Sequence, residues 1–242
     1  MASAFAVLNE TVPLPGPELV GITALVAVVA VVTAFAVPAS GRRSVFYRAN
    51  FLGTLFHEGG HALVSVLTGG GVFRIEIDSP ESGGTWHWNP SPFARVLATA
   101  AGYAMPPLAG LGAAALLHRG LSPAVLLLTL VTMLFILLVT RDMLTFVVVV
   151  AVGAVMFGAL RWAPPWLKNG IAYAEAWLLL TSEIGGLRAL LANRFAGGFR
   201  GQEDDAASVA ERTGIPSLVW IAAWFALIGW AVWHAFPLLW HL

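Results

Sequence analysis

From 123 to 140, and again from 143 to 160, the chain carries no charged side chain, and only Arg141-Asp142 separates the two runs. A helix of about 20 apolar residues covers the roughly 30 Å hydrocarbon core of a bilayer, so each run is read as a membrane span. Further apolar stretches lie near 17–38, 50–68, 92–117, 170–192 and 216–240. Charged residues make up 11% of the 242 residues and hydrophobic ones 58%, whereas soluble proteins are about 25% charged. The expected fold is therefore an all-α polytopic membrane protein with about seven transmembrane helices. Residues 1–16, broken by Pro13 and Pro15, are expected to form a flexible tail. Residues 17–242 then form a single integral membrane domain, with one sizeable polar connection at 193–215.

One of the apolar stretches is interrupted by His57-Glu58-Gly59-Gly60-His61. Residues four apart share a helix face, so His57 and His61 can present imidazole nitrogens to one divalent metal. Glu58 sits beside them, placed to act on a metal-bound water without being a ligand. This is the H-E-x-x-H arrangement of zinc peptidases, in which the metal makes hydroxide accessible near neutral pH and the glutamate moves its proton. Ionisable groups inside a span each cost free energy unless they have a role. Hydrogen bonding between helices, or a proton pathway, is the alternative use.

The rest of the chain limits how such a site is completed. There is no cysteine, so any metal is held by His, Asp and Glu. A catalytic zinc site usually has three protein ligands and one open position. The candidates for the third are Asp142, Glu183, His87 and Glu175. Asp142 is favoured because it ends a span two helices later, where a carboxylate lies near one membrane face; Glu183 follows, although a salt bridge to Arg188 also accounts for it. After Gly69-Gly70-Gly71, which stops the helix, residues from Phe73 to Asp78 alternate apolar and polar. That two-residue period is a strand, and with Thr85-Trp86-His87-Trp88 it predicts a short membrane-associated β-hairpin. Pro106 and Pro107 are expected to interrupt and kink the third span. Balanced charge, with 13 basic and 13 acidic residues and no basic tract, excludes a nucleic-acid partner.

HEGGH within a span, a hairpin directly after it and an acidic residue two helices further on together resemble the site-2-protease family of intramembrane zinc metalloproteases. The likeness is to its small bacterial branch, which lacks an attached soluble sensor domain, and it covers mainly residues 51–142. The resemblance implies one catalytic Zn2+ held by His57, His61 and Asp142, with Glu58 as general base and later proton donor. Here the aspartate stands in Arg141-Asp142-Met143-Leu144, without the glycine that follows it in the family. The resemblance also implies a multi-pass protein of the bacterial cell membrane. The N-terminus, hairpin, Asp142 and 193–215 connection are then cytoplasmic, and the Arg42-Arg43 loop lies outside.

The function expected is hydrolysis of peptide bonds in membrane-spanning protein substrates, with the lipid bilayer as surroundings. An exposed edge of the strand from Val72 to Asp78 would hold the substrate extended. A metal-ion transporter and a catalytically inactive membrane scaffold of the same fold are the alternatives. The sequence is silent on oligomeric state.

Overall fold

The computed structural model describes residues 4–36, 50–79, 82–195 and 204–241. The loop around Arg42 and Arg43, the tip of the hairpin and residues 196–203 lie outside them. In chain order the described elements are α1 (Ala4–Leu8), α2 (Pro17–Ala36), α3 (Phe51–Leu67), β1 (Gly71–Ser79), β2 (Ser82–Trp88), α4 (Pro92–Leu117), α5 (Ser122–Val139), α6 (Met143–Trp162), α7 (Pro165–Thr181), α8 (Glu183–Phe195), α9 (Asp205–Thr213) and α10 (Ser217–Trp240).

Among the described residues, four helices are long and apolar enough to cross a membrane: α4, α5, α6 and α10. Helix α2 is apolar over Pro17–Val31. At 17 residues each, α3 and α7 rise only about 25 Å, short of a full bilayer core. Among the described residues, four full-length spans are thus present, and the seven expected are not confirmed. The stretch expected at 170–192 is also divided, with α7 ending at Thr181 and α8 starting at Glu183. Ser182 is the joint, and its carbonyl accepts from Asn50 Nδ2 at 3.4 Å. Helix α4, by contrast, runs through Pro106 and Pro107 as one helix, started by Ser91, whose Oγ accepts from Ala94 N at 3.1 Å.

Three apolar clusters hold these elements together. Leu117, Leu126, Tyr173 and Leu180 centre one that joins α2, α4, α5, α6, α7 and α10. Leu55, Ala62, Ile75, Ile77, Met133, Ile136 and Val149 lock α3 and β1 onto α5 and α6. Leu187, Ala206, Ile221, Trp224 and Ile228 gather α8, α9 and α10. The N-terminal segment is docked where a flexible tail was expected. Val12 N donates to Gly120 O at 2.8 Å, Asn169 Nδ2 to Pro13 O at 2.8 Å, and Lys168 Nζ to Glu10 at 3.0 Å.

The turn out of α3 runs through Gly69, whose φ of 81° is one an L side chain rarely adopts. The hairpin then follows the alternation in the sequence. Ile75 and Ile77 are buried in the second cluster, each stabilising the dock by about 1.5–3 kcal/mol. Arg74 pairs with Glu76 at 3.0 Å and lies 3.9 Å over the Trp86 ring. Both edges of β1 are engaged. Ile75 is paired with Thr85 of β2 on one side and bridged to Thr140, after α5, on the other; Ile77 N also donates to Thr145 Oγ1 at 2.7 Å. The edge expected to be open on β1 is thus occupied, and β2 is the outer strand.

The same docking explains where Asp142 goes. It is the N-cap of α6, its Oδ1 accepting from Thr145 N at 2.9 Å. This is the ordinary use of an aspartate between two helices joined by a tight turn. Asp142→Ala is expected to lower stability by about 1 kcal/mol. Asp142→Ser, which restores a capping oxygen, should recover most of that loss, as read by thermal unfolding in detergent micelles.

Candidate metal centre

Helices α3 and α4 meet almost backbone to backbone. A Cβ on Gly60 would lie 2.6 Å from Met105 Cβ and 2.9 Å from the Ala101 carbonyl. Glycine inside a helix costs about 1 kcal/mol relative to alanine, and this approach is what Gly60 makes possible. Opposite it on α4, a Cβ on Gly102 would stand 2.5 Å from His61 Nε2 and 2.6 Å from His57 Nε2. Both imidazoles therefore turn their Nε2 atoms into a space that exists because residue 102 has no side chain.

The two Nδ1 atoms are already committed. His61 Nδ1 donates to Ala98 O at 2.8 Å, and His57 Nδ1 to Glu183 Oε2 at 3.1 Å. Such bonds fix the ring orientation and turn each Nε2 into the site, as in metal-ligating histidines. Both Nε2 atoms face Asp205 Oδ2, at 3.1 Å from His57 and 3.3 Å from His61. Ligands of a tetrahedral zinc at about 2.0–2.1 Å stand roughly 3.3 Å apart, which is the spacing of each Nε2 from Asp205 Oδ2, and the three atoms all lie within 4.8 Å of one another. His57, His61 and Asp205 form the one group of three or more convergent His, Asp or Glu side chains among the described residues. Burial alone would raise the Asp205 pKa, but His61 and His57 beside it hold the carboxyl well below the usual carboxylate range. It meets the pair as an anion.

Glu58 is buried one residue along from His57. Thr85 Oγ1 of β2 reaches both its carboxylate, at 2.7 Å to Oε2, and its backbone carbonyl, at 3.1 Å. The hairpin thus fixes the carboxylate from above. The cavity onto which these groups open has a volume of about 590 Å³. Its walls include Thr54, His57, Glu58 and His61 of α3, β2 from Ser82 to His87, Tyr103 of α4, Glu183 and Asp205. Tyr103 sets its ring edge-on to His57, with centroids 4.6 Å apart.

Of the residues proposed from sequence, the structure brings His57, Glu58 and His61 together and leaves Asp142 out. Asp142 sits beyond β1, whose Ile75 separates Thr140 from Thr85 by two strand spacings, about 10 Å. Glu183 is at the site as the hydrogen-bond partner of His57 Nδ1, not as part of the convergent triplet. His87 lines the same cavity and stacks on His61, with centroids 6.2 Å apart. Its Nδ1 is bonded to Asn89 Oδ1 at 2.7 Å, and burial pushes its pKa below the ordinary value. Glu175 lies elsewhere, hydrogen-bonded to Thr129 of α5. Asp205 was missed from sequence. Its signal was the Glu203-Asp204-Asp205 run opening a short helix in a polar connection, which reads as a capping run unless the fold is known.

Comparison with known families adds the deciding observation: the model of the Peptidase M50B-like family matches residues 21–235. The chain belongs to the site-2-protease family. No curated protein and no solved structure matches it. Family membership and the four apolar helices make it a multi-pass membrane protein of a metallopeptidase family.

The space next to Gly102 gives a direct check on the centre. Gly102→Ala places a methyl group against both Nε2 atoms and is expected to weaken metal binding at least tenfold, as measured by metal analysis after dialysis against a weak chelator. Gly112→Ala on the same helix, where a Cβ meets nothing within 4 Å, should bind as the native protein does.

Proposed function

We propose that this member of the site-2-protease family is a zinc metalloendopeptidase that hydrolyses peptide bonds of membrane-spanning protein substrates. The reading is carried by the convergence of His57 Nε2, His61 Nε2 and Asp205 Oδ2 beside a buried glutamate. Asp205 takes the place proposed from sequence for Asp142. These three residues would hold one zinc ion, which when bound would supply a Lewis acid for activating water near neutral pH and polarising a carbonyl.

The chain's own groups supply the rest. Thr85 Oγ1 holds Glu58 at Oε2, which leaves Oε1 to accept the proton of the attacking water. As the new C–O bond forms and the C–N bond breaks, Glu58 passes that proton to the departing amide nitrogen, so one water is consumed and two termini are released. Glu183 and the Ala98 carbonyl keep the two imidazoles turned toward Asp205 throughout.

A peptide bond inside a helix has its backbone groups engaged and is sterically shielded, so the substrate must enter extended. Backbone groups freed in an apolar setting need new partners. With β1 engaged on both edges, β2 supplies most of the hairpin's wall of the cavity. We place the extended segment along it, pairing by strand addition next to Glu58. A transport pathway would call for a succession of metal sites, and the described residues contain one such group.

Glu58→Gln is expected to keep the zinc content of the native protein while cleaving a single-span substrate in proteoliposomes about 10²–10⁴-fold more slowly. Cleavage at the native rate would remove Glu58 from the mechanism. Chelation should abolish cleavage by the native protein, and added zinc should restore it.

A further inference from the structure

Asp205 reaches the histidines from a helix of nine residues, too short to hold itself in place in isolation. What fixes its first turn is the residue before it. Asp204 is the N-cap of α9, with extended backbone, and its Oδ1 accepts from Ala207 N at 2.9 Å. Both of its carboxylate oxygens also accept from Arg194 Nη2 of α8, at 2.6 and 2.7 Å. Arg194 Nε in turn donates to Ser217 Oγ, at the start of α10, at 3.3 Å. The guanidinium is buried, with 4% of its side chain exposed. Ala206 and Val209 on α9 are both fully buried, and Ala206 belongs to the third apolar cluster.

We infer that Arg194 is the positioning residue for the third metal ligand: by clamping Asp204 it sets where α9 begins, and so where the Asp205 carboxylate points. The inference rests on the metal-centre reading above and extends it to Arg194, which does not line the cavity, and to Asp204, which lines it without belonging to the convergent group. The planar fork is what the site requires. One guanidinium joins the end of α8, the cap of α9 and the start of α10, whereas lysine offers a single ammonium on a flexible stem. Rigid ligand placement matters because a carboxylate free to swing away leaves the two histidines as an incomplete shell.

The test is a double-mutant cycle on zinc affinity, measured by chelator competition on the full-length protein in micelles. Arg194→Lys is expected to weaken zinc binding about 10- to 100-fold, the range for residues that orient metal ligands. In an Asp205→Asn background the same substitution should cost less than threefold, because the group it positions is no longer a charged ligand. A purely structural role predicts the opposite: a penalty that persists unchanged in that background, alongside a matching fall in the melting temperature of the metal-free protein. Asp204→Asn, which keeps the cap oxygen and one bond to Arg194, provides a second measurement if Arg194→Lys does not fold, and should weaken zinc binding in the same direction. Native affinity in Arg194→Lys, or an undiminished penalty beside Asp205→Asn, overturns the inference while leaving the metal centre intact. A native protein that takes up no zinc overturns both.

Discussion

Helices α3 and α4 approach each other closely enough for the Ala101 carbonyl to sit against Gly60 and for two imidazoles to fill the place of a side chain on Gly102. In a membrane this closeness cannot rely on expelling water, because lipid is as apolar as the helix surfaces it would leave; it depends on backbone contact and on polar groups satisfied between helices. The Ala98 carbonyl is one such group, drawn into a bond with His61. Packing and ligand orientation are thus the same event on this interface. A larger residue at either glycine would act on the metal centre through the distance between two helices.

The hairpin extends the same logic above α3. It is pinned below by Ile75 and Ile77 in the core and at its side by Thr140 and Thr145, and it returns one hydroxyl, that of Thr85, to the Glu58 carboxylate. Glu58 is therefore held by a different element from those that present His57, His61 and Asp205. That separation lets the carboxylate keep its aim while the cavity between it and α8 stays open.

Much of this was legible in the sequence. The period of four between His57 and His61 placed both on one face, the change to a period of two after Gly71 announced the hairpin, and the apolar runs at 123–140 and 143–160 became α5 and α6 with bounds within a few residues. Less legible was anything decided by tertiary approach. Asp142 and Asp205 are both aspartates at helix starts, and nothing local separates a capping residue from one that reaches a site 148 positions away in the chain. Nor did anything local mark Ser182 as the end of α7, where its carbonyl accepts from Asn50, far off in sequence. Glu183 was noticed as a carboxylate in an apolar setting, yet its role depends on which nitrogen of His57 it meets.

The three convergent side chains are also divided in the order of synthesis. His57 and His61 enter the membrane early, while Asp205 is made only after α4 through α8 and is fixed by contacts that include the start of α10. A nascent chain consequently carries the histidine pair through most of its synthesis without the carboxylate that faces it. The convergence of the three side chains is thus complete only once the start of α10 has been made.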